Sequence, residues 1–220
     1  RGPVGNHRGL MPTLNLQVGS SGGDNHQQSI PNDSGRNVTG SGTCSLTDTI
    51  LQVGSHSSGN EWSAAARFTG ATIPQGATIT SAIFQMRANA TYNASPNVVK
   101  LYASAEDSDT AAALSASSAD LNAAARPRTT ATTALDVSSV TGGTWYSWDI
   151  TASVQELVDR ATFGETVVNV IVDTHEDTTT NEWQDFDAYD GSAANAPKLD
   201  VTYTTGGGGF VSRLSLLGVG

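Results

Sequence analysis

Cysteine, lysine and long apolar runs are nearly absent from this chain of 220 residues. Because Cys44 is the single cysteine, no disulfide can form within the chain, and we expect a buried, unreactive thiol. Lysine occurs only at Lys100 and Lys198, and the formal net charge is −10 at pH 7. An acidic surface repels phosphate backbones, which argues against a nucleic-acid partner. No apolar run of about 18 residues is present, so no membrane-spanning helix is expected.

The chain is rich in Thr, Ser, Ala, Gly and Val, a composition that favours strands joined by turns. Alternating or β-branched stretches predict eight or nine strands, and the apolar run 165–173 is expected to lie centrally. The predicted strands are 47–53, 63–69, 78–90, 98–103, 129–137, 144–150, 165–173, 182–189 and 197–204. The sequence therefore predicts an all-β fold: a two-sheet antiparallel sandwich of jelly-roll type, with one short helix and extended terminal arms.

The stretch 143–160 runs from a strand directly into that helix. Residues 144–150 alternate aromatic with small or polar side chains, which places Tyr146 and Trp148 on one face and Trp145 on the other. The spacing of apolar residues then changes from two to three or four, which places Val154, Leu157 and Val158 on one face of a helix. Thr151 or Ser153 is expected to cap the helix, and Glu156 and Asp159 to point away from its apolar face.

Both ends of the chain differ from its middle. Residues 1–45 are Gly- and Ser-rich with few apolar anchors, so they are predicted to be an arm, followed by a sandwich domain at 46–205. Residues 206–220 begin with four glycines and end in an apolar peptide, which is expected to dock on a neighbouring subunit; the alternative is that it folds back onto its own domain. The residues predicted to make that contact are Phe210, Val211, Leu214, Leu216 and Leu217.

Three stretches carry a family resemblance: 66–82 with its Ile-Pro-Gln-Gly turn, 148–158 from Trp-Asp-Ile into the helix, and 196–204 as a closing strand. Together they resemble DNRLRE-type sandwich domains, a family grouped with carbohydrate-binding modules. The forms at 126–130, 154–160 and 189–199 look like those of tailed-phage and marine metagenomic structural proteins. The resemblance implies a β-sandwich and leaves the function open.

Two kinds of side chain are candidates for a site. If the domain binds a sugar, Trp148, Trp183 and Tyr189 are the candidate stacking platforms, although core positions account equally well for aromatics in strands. Asp185, Asp187 and Asp190 are candidate ligands of a structural Ca²⁺, although an acidic solvated face would look the same. No nucleophile elbow and no zinc-binding histidine pattern is present, so no catalytic residue is assigned.

The leading hypothesis is a non-enzymatic virion surface protein, used for head decoration, cementing or tail attachment. Its partners would be neighbouring copies of itself and other virion proteins, such as the major capsid protein, contacted through the terminal arms. The alternative is a carbohydrate-binding module of a secreted or cell-surface protein, with a glycan as its ligand. Neither hypothesis involves nucleic acid or a membrane.

Overall fold

The described residues form fourteen strands and one α-helix, and twelve of the strands make two antiparallel sheets packed face to face. A computed structural model describes residues 11–29, 44–56, 60–93, 100–117, 119–137, 139–164, 166–174 and 182–205. The strands are β1 Thr13–Gln17, β2 Asp24–Ser29, β3 Cys44–Ser45, β4 Ile50–His56, β5 Asn60–Thr69, β6 Thr78–Arg87, β7 Tyr92–Asn93, β8 Lys100–Ala105, β9 Thr133–Asp136, β10 Ser139–Val140, β11 Trp145–Asp149, β12 Val167–Thr174, β13 Glu182–Asp187 and β14 Lys198–Thr204. Helix α1 spans Thr151–Val158, and a 3-10 turn spans Ala193–Asn195. The predicted all-β sandwich is confirmed.

The smaller sheet, called the front sheet, has the strand order β1-β14-β6-β11. The larger one, called the back sheet, has the order β13-β4-β5-β12-β8-β9, and β2 joins it by pairing with β5 and β3. As its apolar sequence indicates, β12 is central: it pairs with β5 on one side and β8 on the other. A separate pair, β7 with β10, lies outside both sheets.

An aromatic cluster fills the space between the sheets. Trp148 and Phe84 are paired across β11 and β6 of the front sheet, with ring centroids 5.7 Å apart. Phe68 of the back sheet meets Phe84 edge to face at 6.1 Å, and Phe186 meets Trp148 in the same way at 6.1 Å. The indole Nε1 of Trp148 also donates a hydrogen bond to the carbonyl of Leu101 in β8, at 3.1 Å. Contacts of this geometry add to the burial of the rings themselves, so the cluster fixes the two sheets relative to each other.

Helix α1 closes one end of this core. Val154, Leu157 and Val158 are buried, as their spacing predicts. The expected cap is different: neither Thr151 nor Ser153 caps the helix, since the N-cap is Ile150 and makes no side-chain cap hydrogen bond. Instead the carboxylate of Asp149, the last residue of β11, accepts hydrogen bonds from Thr151 N at 3.0 Å and Thr151 Oγ1 at 2.5 Å.

Glu156 is not among the buried residues of the helix, as expected, and its carboxylate has backbone partners. It accepts hydrogen bonds from the backbone N–H groups of Thr130 and Ala131, at 2.8 and 3.0 Å. Ser153 Oγ donates to the carbonyl of Ala131 at 2.8 Å. The helix thus holds the chain just before β9, in addition to covering the core.

The predicted arm is wrong for the part of it that is described. β1 pairs with β14 at the edge of the front sheet, and β2 pairs with β5 in the back sheet. Leu14 and Leu16 of β1 pack against the main core, and Val18 is buried within it. Those three apolar residues at alternate positions are sufficient to anchor an edge strand, even beside a Gly- and Ser-rich loop. The sandwich therefore begins before residue 46; residues 1–10 and 30–43 lie outside the described part of the chain.

A β-bulge interrupts the alternation of inward and outward residues in β6. Strict alternation from Ala82, Phe84 and Met86 places Ile79 on the opposite, outward face. The register with β14 shifts at this point, because Thr202 pairs with Ser81 whereas Tyr203 pairs with Ile79. The extra residue in β6 returns Ile79 to the core, where it is buried.

The outer face of the back sheet is covered by residues 107–117 and 119–132, together called the covering loop. Beneath it lies a small second core of Ala65, Leu114, Leu121 and Ile171. Residues 119–125 form a series of turns rather than a helix. Arg126 and Arg128 return from this loop into the sheet, where they meet the carboxylates of Glu106 and Asp173.

The apolar tail 206–220, including Phe210, Val211, Leu214, Leu216 and Leu217, lies outside the described residues, so its docking stays a prediction. Within the described ranges, no helix has the length and apolar character that crossing a membrane requires.

Replacing Leu157 by alanine tests the packing of helix α1. The side chain is only 1% exposed within the main core, so its removal leaves a cavity. We expect Leu157→Ala to lower the free energy of unfolding by about 2 to 4 kcal/mol in denaturant titrations. The exposed Ala152 on the same helix provides a control, and Ala152→Ser should change stability by less than about 0.5 kcal/mol. A loss at Leu157 as small as that of the control would contradict the packing described here.

Candidate functional site

The outer face of the front sheet is a largely polar surface that contains one tryptophan. Strand alternation sends every second residue outward, and the pairing register aligns these residues in rows across the four strands. One row contains Gln17, Lys198, Gln85 and Ser147, and the next contains Asn15, Asp200, Ile83 and Asp149. All eight side chains are exposed or half-buried. With neighbouring strands about 4.8 Å apart, the face is about 14 Å wide.

Trp145 lies at one corner of this face, on the edge strand β11. It is half-buried and stands opposite Arg87 of β6 in the register. The ammonium of Lys198, two strands away on β14, lies 4.0 Å from the centroid of the Trp145 ring. This cation–π contact holds the indole across the sheet surface, so that it joins the polar rows.

The polar side chains of the face are held in place by hydrogen bonds. Gln85 Nε2 donates to Ser147 Oγ at 3.1 Å. Gln17 Nε2 donates to the carbonyls of Ala193, Ala194 and Ala196 at 3.0 to 3.1 Å, which fixes its amide against the 3-10 turn. Amide and hydroxyl groups both donate and accept hydrogen bonds, so such a face can bind a partner that is itself rich in hydroxyl groups.

Trp148 cannot be an exposed stacking platform, and that prediction is wrong. Its side chain is 0% exposed, and its indole N–H is used by the carbonyl of Leu101. The alternation that puts Tyr146 and Trp148 on the inward face sends Trp145 outward. The alternation of the strand therefore predicts the relative orientation of the two tryptophans correctly, and Trp145 is the one that faces outward.

The other two predicted platforms lie on the back sheet side and do not join Trp145. Trp183 is half-buried on β13, where it pairs opposite Gly54 of β4. Tyr189 follows β13, is half-buried, and packs against the main core. Neither belongs to the rows of the front sheet, and their role as sugar platforms stays a prediction.

The three carboxylates predicted to bind calcium are engaged separately rather than gathered. Asp187 is used on both oxygens, since Oδ2 pairs with Arg87 at 2.5 Å and Oδ1 accepts from Asn89 at 2.7 Å. Asp185 accepts from Gln52 Nε2 at 3.0 Å, and Asp190 accepts from Ser21 Oγ at 3.0 Å. Among the described residues, no group of three or more His, Cys, Asp or Glu side chains could hold a metal ion. The structure therefore does not bring this predicted site together.

A buried carboxyl that the sequence did not single out lies beside the same turn. Asp24 at the start of β2 is 2% exposed, and it accepts a hydrogen bond from the backbone N–H of Tyr189 at 2.7 Å. Burial raises the pKa of Asp24 from its ordinary value of 3.8 to about 6, although the Tyr189 hydrogen bond opposes this rise. The nearby charge of Asp190 contributes to the rise.

Cys44 is buried, as expected for an unreactive thiol. The acidic turn 106–109 is also occupied by structural contacts. Glu106 pairs with Arg126, and Arg160 pairs with both Asp107 and Asp109. These carboxylates thus hold the covering loop and the end of helix α1 to the back sheet.

Sequence reasoning missed most of the front-sheet face. The signal was present in β1, where Thr13, Asn15 and Gln17 alternate with leucines, and in β14, where polar residues alternate with Leu199 and Val201. This signal is hard to read from the sequence, because the Gly- and Ser-rich residues after β1 predict an arm. A polar row can be recognised only once the neighbouring strands are known.

Comparisons with known proteins add little to this geometry. No family model matches the chain, and no curated protein matches it. Among solved structures it is similar to the N-terminal endo-1,4-beta-D-xylanase 10B of Clostridium thermocellum, whose CBM22-1 and GH10 modules are seen with xylohexaose. The likeness covers 90% of this chain but only 28% of that chain, with 11% identity and a TM-score of 0.33. A likeness this weak carries no argument, and the DNRLRE and phage resemblances stay predictions.

The buried carboxyl of Asp24 predicts a pH dependence of stability. Because its pKa is raised in the folded state, protonation stabilises the fold below pH 3.8, and this contribution is lost as the pH rises to about 6. Asp24→Asn keeps an oxygen acceptor for Tyr189 N–H but cannot ionise. The stability of Asp24→Asn minus that of the wild type should therefore increase by about 2 to 3 kcal/mol between pH 4 and pH 7 in urea titrations. A difference that is the same at both pH values would contradict the raised pKa.

Proposed function

We propose that this chain is a non-catalytic carbohydrate-binding module, and that the outer face of its front sheet is the binding surface. The observation that carries the proposal is the position of Trp145 at the end of rows of amide and hydroxyl side chains. An aromatic ring binds the apolar C–H face of a sugar ring, and the polar rows bind its hydroxyls. Both requirements are met on one surface of the front sheet.

The shape of the face indicates which carbohydrates would fit. An open sheet face about 14 Å wide can take an extended polysaccharide chain from one side, whereas a deep pocket would enclose a single sugar. Contact from one side buries less of the ligand, so the affinity should be modest. We expect dissociation constants from about 10 µM to about 1 mM, which correspond to roughly −7 to −4 kcal/mol.

Charge on the face favours a neutral or mixed ligand over a strongly anionic one. Asp149 and Asp200 lie in one row, whereas Lys198 and Arg87 lie beside Trp145. The ammonium of Lys198 already uses one side of the Trp145 ring. In this proposal it also donates to sugar hydroxyls next to the stacked ring.

A virion surface role is the second candidate function. One described feature favours it: β1 and β11 are the two edges of the front sheet, and edge strands can accept a strand from another chain. The segments predicted to reach neighbouring subunits lie outside the described residues. Imaging of the native assembly would decide, because tail residues on a neighbouring subunit would support this role and an isolated chain would contradict it. Both locations, virion surface or secreted, stay predictions.

Removing the Trp145 side chain tests the carbohydrate proposal. Affinity electrophoresis of the full chain through gels containing xylan, mannan, β-glucan or polygalacturonate should show retardation by at least one of these polysaccharides. Trp145→Ala should weaken that binding by about tenfold or more, because the stacking contact is lost.

Trp183→Ala is the matched control, since it removes the same half-buried side chain from the back sheet. It should bind as the wild type does, and unfolding curves should show that both variants are folded. Equal loss in the two variants, or no retardation of the wild type by any polysaccharide, would overturn the proposal.

A further inference from the structure

The arginines of the described chain divide into four that pair with carboxylates and one that does not. Arg87, Arg126, Arg128 and Arg160 each form salt bridges with aspartate or glutamate. Within the described ranges Arg67 makes no salt bridge, and its side chain contacts only carbonyl and amide oxygens. In a protein with a net charge of −10, an arginine that is left without a carboxylate is available for an external anion.

Arg67 uses only one of its three nitrogens in these contacts. Nη1 donates to the carbonyls of Ala111 and Ala112 at 2.6 and 2.5 Å, and reaches Asn169 Oδ1 at 3.5 Å. A guanidinium has five N–H groups, of which Nε and Nη2 carry three. Those three meet no acceptor among the residues that the structure describes. The guanidinium is therefore held through Nη1, while the N–H groups of Nε and Nη2 remain available.

Arg67 lines a pocket of about 270 Å³. It is lined by Ser20 and three glycines of the loop between β1 and β2, by Arg67 and Thr69 of β5, and by Ala113 of the covering loop. The glycine loop is held tightly, because Arg67 N donates to Gly23 O at 2.8 Å. A Cβ on Gly23 would lie 2.8 Å from Val18 Cγ1, so only glycine fits there.

The carboxylates around Arg67 are engaged by other groups, and Arg126 pairs with both Glu106 and Asp120. Burial is the main cause of the lowered pKa of Arg67, and the nearby guanidinium of Arg126 lowers that pKa further, whereas Glu106 raises it. On the other side, Asp24 is occupied by Tyr189 N and Asp190 by Ser21 Oγ.

From this geometry we propose that the Arg67 pocket binds an oxyanion, in particular a carboxylate, through the Nε and Nη2 groups of Arg67. These two nitrogens form the planar fork that matches the two oxygens of a carboxylate. The hydroxyls of Ser20 and Thr69, which line the same pocket, can donate to the same group. The pocket lies on the back sheet side, so this site is separate from the carbohydrate face of the front sheet. The source of the anion is either a free inorganic oxyanion or the acid group of a uronic sugar.

Titrations followed by ¹⁵N–¹H NMR of the full chain would test the site with three probes: sodium sulfate, sodium D-glucuronate and neutral D-glucose. Both anions should shift the amide signals of residues 19–23 and the Nε–H signal of Arg67, whereas glucose should leave them unchanged. Tighter binding of glucuronate identifies an acidic sugar as the source, and equal or tighter binding of sulfate identifies a free oxyanion. Added sodium chloride should weaken both. No shift at residues 19–23 with either anion at tens of millimolar would overturn the proposal.

Two substitutions connect the binding to Arg67. Arg67→Gln can still donate to a loop carbonyl but has lost the charge, and it should weaken anion binding by about tenfold or more. Arg160→Gln removes an equal charge from a paired arginine elsewhere, and should bind as the wild type does. If Arg67→Gln does not give a folded spectrum, Arg67→Lys takes its place. Lysine keeps the charge without the fork, so it should weaken glucuronate binding, and unchanged binding in the folded variant would contradict the proposal.

Discussion

The structure depends most on the hydrogen bond from Trp148 of the front sheet to the carbonyl of Leu101 in the back sheet, together with the ring packing around it. A buried indole N–H needs an acceptor, and only one orientation of β11 provides it. Once Trp148 faces inward, the period of two decides the direction of every other residue in that strand. Trp145 must then face outward, where it stands opposite Arg87 in the register and the ammonium of Lys198 lies against its ring.

The two sheets use their outer faces in opposite ways. On the back sheet, the covering loop shields the face, and Arg126, which is 4% exposed, satisfies Glu106 and Asp120 beneath it. Such buried ion pairs fix one arrangement, because removing one partner leaves an uncompensated charge. The front sheet instead presents its polar rows. The proposed carbohydrate surface follows from that difference, and the Arg67 pocket lies where the covering loop meets the glycine loop.

Sequence patterns predicted the parts of this fold that local periodicity controls. The central position of β12, the strand into helix α1 and the helix's apolar face all follow from the period of apolar residues. Features that depend on residues distant in the sequence could not be predicted in this way. The strand β1 is recognised only from its pairing with β14, and the bulge at Ile79 only from the register of β6 with β14. For the same reason the sequence could not show that Asp187 is paired with Arg87, or that Arg67 makes no salt bridge within the described ranges.

The central claim is that Trp145 faces a ligand while Trp148 holds the core, and the indole N–H signals of the four tryptophans can test it directly. In a ¹⁵N–¹H NMR titration with an oligosaccharide of the polysaccharide that the chain binds, we predict a shift of the Trp145 signal. The Trp148 signal, buried and hydrogen-bonded to Leu101, should stay in place. Shifts confined to Trp62 or Trp183, with Trp145 unchanged, would contradict the account.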